Sequence, residues 1–146
     1  IGIFPAEGNS PNNCDNSVQA AMLMQSVIED VINPIMREKN LPQIGFHIGL
    51  DIGLVRADKF GALDIASFND LIGYSMNLTA KIQSKAGHNE ILLGRQLYEL
   101  IHNSWQSYCT MVKLGDSWKM IDPRFNTREP YPVYKFSAKW KCNVIK

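Results

Sequence analysis

The 146 residues are 45% hydrophobic and 20% charged, with a formal net charge of +1, which fits one soluble domain over residues 1–146 with a single core. A charge so near neutrality argues against a general nucleic-acid or membrane-surface binder. Three widely spaced cysteines, Cys14, Cys109 and Cys142, form no CxxC pair, no apolar run reaches membrane-spanning length, and no signal peptide is read. Neither a zinc site nor a disulfide framework is indicated, and a reducing, cytoplasmic setting is expected.

Residues 1–4, Ile-Gly-Ile-Phe, predict a short strand stopped by Pro5 and a turn-rich stretch. The chain opens on this strand without an initiator Met, as a segment of something longer would. Asp15 or Asn16 can cap a helix over 17–38, with Val18, Met22, Ile28, Ile32 and Ile35 as its apolar stripe and Pro34 kinking or shortening its end. Met22, Met24 and Met36 read as packing residues. In residues 44–53, Ile44, Phe46, Ile48, Leu50 and Ile52 alternate with Gly45, His47, Gly49, Asp51 and Gly53. That period of two predicts a strand, and its glycine-rich face expects another backbone or a ligand close by. His47 reads as a strand-face packing or dimer residue.

Residues 56–69 predict a hairpin or an excursion. A helix follows Gly73 and runs to about Lys85, ended by Ala86-Gly87. "NEILLG" predicts a strand, "RQLYELI" a short helix, and "YCTMVKL", "SWKMI" and "YPVYKF" later strands. This order favours an α+β layer with helices on a largely antiparallel sheet. From Lys113 onward eight cations face Asp116, Asp122 and Glu129, a tail that could meet an anion or simply be a solvated basic end.

The junction "DLIGYSMNLTAK" carries three polar residues that packing does not require: Asp70, Asn77 and Lys81. Four residues of helix advance about 6 Å and turn about 400°, so Asn77 and Lys81 emerge on nearly one face. Asp70 ends the strand before it. A carboxylate can accept from an exocyclic amine, an amide can orient a ribose, and a cation can counter charge developing on phosphate. Spacing alone favours the plainer reading, with Asp70 as a helix cap and Asn77 and Lys81 on a wet face.

The junction resembles the class III nucleotidyl cyclases, the adenylate and guanylate cyclase family, whose pattern is D-x-x-G-x-x-x-N-x-x-x-R. Here it stands as Asp70, Gly73, Asn77 and Lys81. Three flanking blocks match in order: "IGIFPAEG" the second strand of the metal-site hairpin, "FHIGLDIGLV" the strand "RIGIHTGEVV", and "KIQSKAGHNEILLGRQLYELI" the stretch "RLQSLAEPGEILVSEETYELL". "YPVYKF" corresponds to the closing strand. The resemblance covers nearly the whole chain.

It implies a ferredoxin-like βαββαβ core, here N-terminally truncated and lacking its first strand and helices. It also implies a head-to-tail homodimer with sites at the interface. The implied reaction is attack of a ribose 3′-oxygen on the α-phosphorus of a nucleoside triphosphate, releasing pyrophosphate, with Mg2+ or Mn2+ as cofactor. Asp70 would contact the base, Asn77 position the ribose, and Lys81 stabilise the pentavalent phosphorus. Lys113 and Lys119 are the candidates for the terminal phosphates, with Arg124 behind them. The metal-binding aspartates are expected upstream of Ile1, and Asp51 is not taken as their replacement.

Two departures stand out. Lys81 replaces the usual Arg and loses its planar fork. Tyr74 stands where an acid or polar residue is common, so the base pocket is reshaped. Asp70 nominally favours ATP. The departures also fit divergent bacterial members, including the pyrimidine cyclases of antiphage signalling, which act on CTP or UTP. The alternative is a degenerate cyclase homology domain that binds nucleotide or only dimerises. A third reading is an unrelated ferredoxin-like binding domain.

Overall fold

The structure is a computed structural model and describes residues 2–4, 10–60, 68–122 and 129–140. Its centre is a four-stranded mixed sheet of β1 (His47–Leu50), β4 (Glu90–Gly94), β6 (Val133–Phe136) and β5 (Cys109–Val112), in that order. β1 runs parallel to β4, and the other two pairings are antiparallel. The parallel pair needs a long connection, since a short turn cannot return a strand in the same direction. A separate antiparallel hairpin, β2 (Arg56–Phe60) with β3 (Phe68–Ile72), and then α3 (Tyr74–Gln83) supply it.

β4 is buried from Ile91 to Gly94, and its side chains alternate between two cores. Ile91 and Leu93 face a core with Cys14, Val18, Ala21 and Met22 of α1 (Ser10–Ser26) and Leu97 of α4 (Arg95–Leu100). Leu92 faces the opposite core, with Leu78 and Ile82 of α3, Trp118, Tyr131 and Val133. The sheet thus lies between two apolar layers, and α3 owns one of them.

The first helix differs from the expected span. It begins at Ser10, where Pro11 in the opening turn forfeits only an N–H that would have no intrahelical partner. It continues through a π-helical turn, Val27–Ile32, into α2 (Asn33–Glu38). The Asn33 N–H donates to the Ile28 carbonyl five residues back, and Pro34 beside it has no N–H to give. The wider turn carries the helix past the proline, which shifts the hydrogen-bond register without ending the helix.

Two expected strands are absent. Gly2, Ile3 and Phe4 are exposed and join no ladder among the described residues. "SWKMI" makes only one isolated bridge, Ile121 to Pro130. Pro130 and Pro132 have no N–H, so a ladder cannot propagate along that partner. A short helix, α5 (Asn103–Gln106), was not anticipated; His102 caps it by accepting from the Ser104 N–H.

Candidate nucleotide site on helix α3

The alternating stretch forms a strand only over His47–Leu50, but its faces divide as expected for most of its length: Phe46, Ile48, Leu50 and Ile52 pack into the α1 core, Ile44 is exposed, and the opposite face meets α3. A Cβ on Gly49 would lie 2.4 Å from the backbone nitrogen of Gln83, so the close neighbour is a helix backbone. His47 Nδ1 lies 2.8 Å from the Ala86 carbonyl. A carbonyl only accepts, so Nδ1 carries the proton and His47 acts as a strand-face anchor.

Gly73 separates β3 from α3 with extended backbone, φ 169°. The fold needs glycine there for space: a Cβ would sit 2.7 Å from the Leu54 carbonyl oxygen. The glycine of the junction motif therefore lets the end of β3 pass beneath the β1–β2 connection. Asp70 lies on β3, opposite Asp58 in the hairpin register and three residues before the helix N-cap, Gly73. On α3, Leu78 and Ile82 are fully buried, while Asn77 and Lys81 are exposed. Burial thus divides the helix as the spacing requires, leaving amide and cation on a solvent-facing stripe one turn apart.

The two terminal-phosphate candidates occupy different places. Lys113 follows β5 and lines a cleft of about 300 Å³ with Leu114, Gly115, Trp118 and Tyr131. Gly115 turns the chain with φ +71°, where a side chain would be strained. Beyond the turn Lys119 is exposed on an extended segment between buried Trp118 and half-buried Met120. That segment lies along α3: Tyr74 Oη donates to the Ile121 carbonyl at 2.7 Å, and Lys85 Nζ to Ser117 Oγ at 3.2 Å. Lys119 is thereby brought beside the helix that carries Asn77 and Lys81. Lys113 lies across the turn. Arg124 lies outside the described residues.

Asp51 does not stand free to take a metal. The Tyr131 hydroxyl donates to its carboxylate, at 3.0 and 3.2 Å from the two oxygens, and Oδ1 also accepts from the Ile52 N–H at 2.9 Å. Tyr131 in turn accepts from the Gln96 N–H at 2.8 Å. Burial, then the Asp51 charge, push the Tyr131 hydroxyl far above its ordinary pKa, so it remains a donor. Arg56 occupies Asp58. Among the described residues, no group of three or more His, Cys, Asp and Glu could hold a metal ion. The described donors do not form a shell for Mg2+ or Mn2+.

Sequence reasoning missed Tyr131 and gave Tyr74 no partner. Tyr131 had no signal beyond its aromatic type. Tyr74 was marked by its departure from the motif.

This element order is the fold of the class III nucleotidyl cyclase catalytic domains. The adenylyl cyclase CyaB from P. aeruginosa superposes with a TM-score of 0.68 over 94% of this chain and 65% of its own, at 18% identity. The guanylyl cyclase Cya2 gives a TM-score of 0.69 over 97% of this chain and 66% of its own, at 16% identity. In sequence, the chain is similar to two proteins of Escherichia coli, each named cytidylate cyclase. One is 29% identical over 122 residues and the other 28% over 107, which are 81% and 72% of this chain. The matched stretches are 27% and 23% of those relatives, so the chain spans about a quarter of their length. No protein-family model matches the chain. No described helix is long and apolar enough to cross a membrane.

Proposed function

We propose that this chain is the base- and phosphate-contacting part of a nucleotidyl cyclase that converts CTP to 3′,5′-cyclic CMP and pyrophosphate. The observation that carries the reading is the β3–α3 junction. Asp70 lies on the strand, Gly73 is enforced by the Leu54 carbonyl, and Asn77 and Lys81 share an exposed stripe over a buried one. Similarity to two cytidylate cyclases supports the choice of cytosine, whose exocyclic amine can donate to the Asp70 carboxylate.

In the reaction the ribose 3′-oxygen forms a bond to the α-phosphorus as the bond to the bridging oxygen breaks. Pyrophosphate leaves, and the 3′-hydroxyl proton passes to solvent. Asn77 orients the ribose, and Lys81 faces the charge that builds on the phosphorus oxygens. Lys119, beside α3, takes the terminal phosphates in preference to Lys113. The exposure of Asn77 and Lys81 suits a face completed by a second copy, with the divalent cation and its carboxylates supplied from outside the described residues.

The test is product analysis of the full-length protein with each of the four nucleoside triphosphates, in magnesium and in manganese. Cyclic CMP is expected as the main product. Asn77→Ala and Lys81→Ala are each expected to lower turnover about 10²–10³-fold, as for loss of a transition-state donor. Because both are exposed on a helix face, the fold should shift by less than about 0.5 kcal/mol. Lys81→Arg should retain turnover, and Asp70→Asn should flatten the preference among bases. Full turnover by both alanine variants, or no cyclic product from any triphosphate, would reject the assignment in favour of a non-catalytic domain.

A further inference from the structure

We infer that Tyr74, one of the two residues at which the junction departs from the family pattern, is a positioning residue whose hydroxyl holds the Lys119 segment against α3. It thereby sets how tightly the triphosphate is bound. This deepens the proposed function and rests on it.

The geometry has three parts. First, residues 117–121 are tied at both ends: Tyr74 Oη, at the start of α3, donates to the Ile121 carbonyl at 2.7 Å, and Lys85 Nζ, in the turn just past the helix, to Ser117 Oγ at 3.2 Å. Ile121 meets Tyr74 at the start of α3 and Ser117 meets Lys85 just past its end, so the two segments run alongside in opposite directions. Second, the middle is fixed from below. Trp118 packs with Leu78 and Ile82 and donates Nε1–H to the Tyr131 carbonyl at 2.8 Å, and the Tyr131 N–H donates to the Met120 carbonyl at 2.7 Å. Third, burial alternates along the segment. Trp118 and Met120 point in, while Lys119 and Ile121 point out. Lys119 therefore emerges on the outer side.

At 100° per residue, Lys81 falls 20° from Tyr74 around the helix. It lies on the side of α3 that meets this segment. Lys81 and Lys119 are both exposed, on the two segments that the Tyr74 hydroxyl joins, with Asp116 in the turn before Ser117. Among the described residues neither Lys81 nor Lys119 has an ion-pair partner. Two ammonium groups without ion-pair partners, on segments joined by Tyr74, would meet an oligophosphate from two sides. Holding them together therefore needs a tether, and at the Lys119 end the tether is the Tyr74 hydroxyl. Phenylalanine keeps the ring and loses only that bond.

The experiment measures steady-state kinetics with CTP on the full-length protein carrying Tyr74→Phe, Lys119→Ala, and both. Losing one hydrogen bond predicts a rise in KM of about 3- to 10-fold. Since the bond acts on binding, kcat should stay within about twofold. In the Lys119→Ala background, Tyr74→Phe should add nothing. Amide hydrogen exchange without nucleotide should quicken over residues 118–121. If Tyr74→Phe does not fold, Ser117→Ala loosens the same segment from its other end and should raise KM in the same sense. Unchanged KM, or an equal effect with Lys119 already removed, would overturn the inference. Retained turnover in Asn77→Ala and Lys81→Ala would instead overturn the functional reading beneath it, so the two failures are distinct.

Discussion

Gly49 contributes to this fold by what it lacks. A methyl group there would stand 2.4 Å from the Gln83 nitrogen and 2.7 Å from its Cα, and a helix backbone cannot yield as a flexible side chain can. Gly49→Ala is expected to cost about 1–3 kcal/mol through overpacking. That lowers the thermal midpoint by about 2–10 °C. A circular-dichroism melt checks this, and an unchanged midpoint would mean that α3 does not press on β1. The same strand shows which readings survive at this scale. The glycine-rich face expected a close backbone or a ligand, and α3 supplies the backbone. His47, expected as a packing or dimer residue, anchors to the carbonyl of Ala86 at the end of that helix region.

For elements, the instructive case is the long first helix. Its π turn gives the helix a register change near Asn33, a buried residue whose side chain serves two backbone groups at once. Asn33 Nδ2 donates to the Ile44 carbonyl at 2.9 Å, and Oδ1 accepts from the Ile44 N–H at 2.8 Å. That pair mimics one rung of a sheet and fixes where the chain leaves the helix to enter β1. Asn33→Ala removes both bonds and leaves part-buried backbone groups without that partner. The expected cost is about 1–3 kcal/mol. It should appear as a lower urea midpoint with an unchanged m-value, because no surface changes in the unfolded chain. A midpoint equal to wild type would show that water replaces the amide without loss.

Across the whole molecule, two cores on opposite faces of one sheet bury groups that would otherwise ionise at alkaline pH. Burial pushes the Cys109 thiol from 9.0 up to about 11. Burial likewise raises Tyr134 and, with the Asp51 charge added, Tyr131. Between pH 9 and 11 the unfolded chain gives up the Cys109 proton while the folded chain keeps it. The unfolded state then binds fewer protons, so stability falls as pH rises. The tyrosines extend the same trend above pH 10. Urea midpoints at pH 8, 9, 10 and 11 should decline, and Cys109→Ser, which does not ionise there, should flatten the decline between 9 and 11. An equal slope in the serine variant would assign the alkaline loss to other groups.

The amino-acid sequence by itself determined what short-range geometry controls. The period-two run predicted β1 and its two faces, "NEILLG" predicted β4, and the four-residue spacing of Asn77 and Lys81 predicted their shared exposed stripe. These are local because backbone sterics repeat every two or 3.6 residues whatever the distant chain does. The strand expected for "SWKMI" failed because a ladder depends on its partner, and that partner is interrupted by Pro130 and Pro132. The fold alone brought the segment that carries Lys119 to Tyr74, and Asp51 to Tyr131. Those pairs are set by contacts across 47 residues from Tyr74 to Ile121 and 80 from Asp51 to Tyr131. No local period reaches that far. Such neighbours are chosen when the two cores close around the sheet, by the burial of Leu78, Ile82, Trp118 and Tyr131 together.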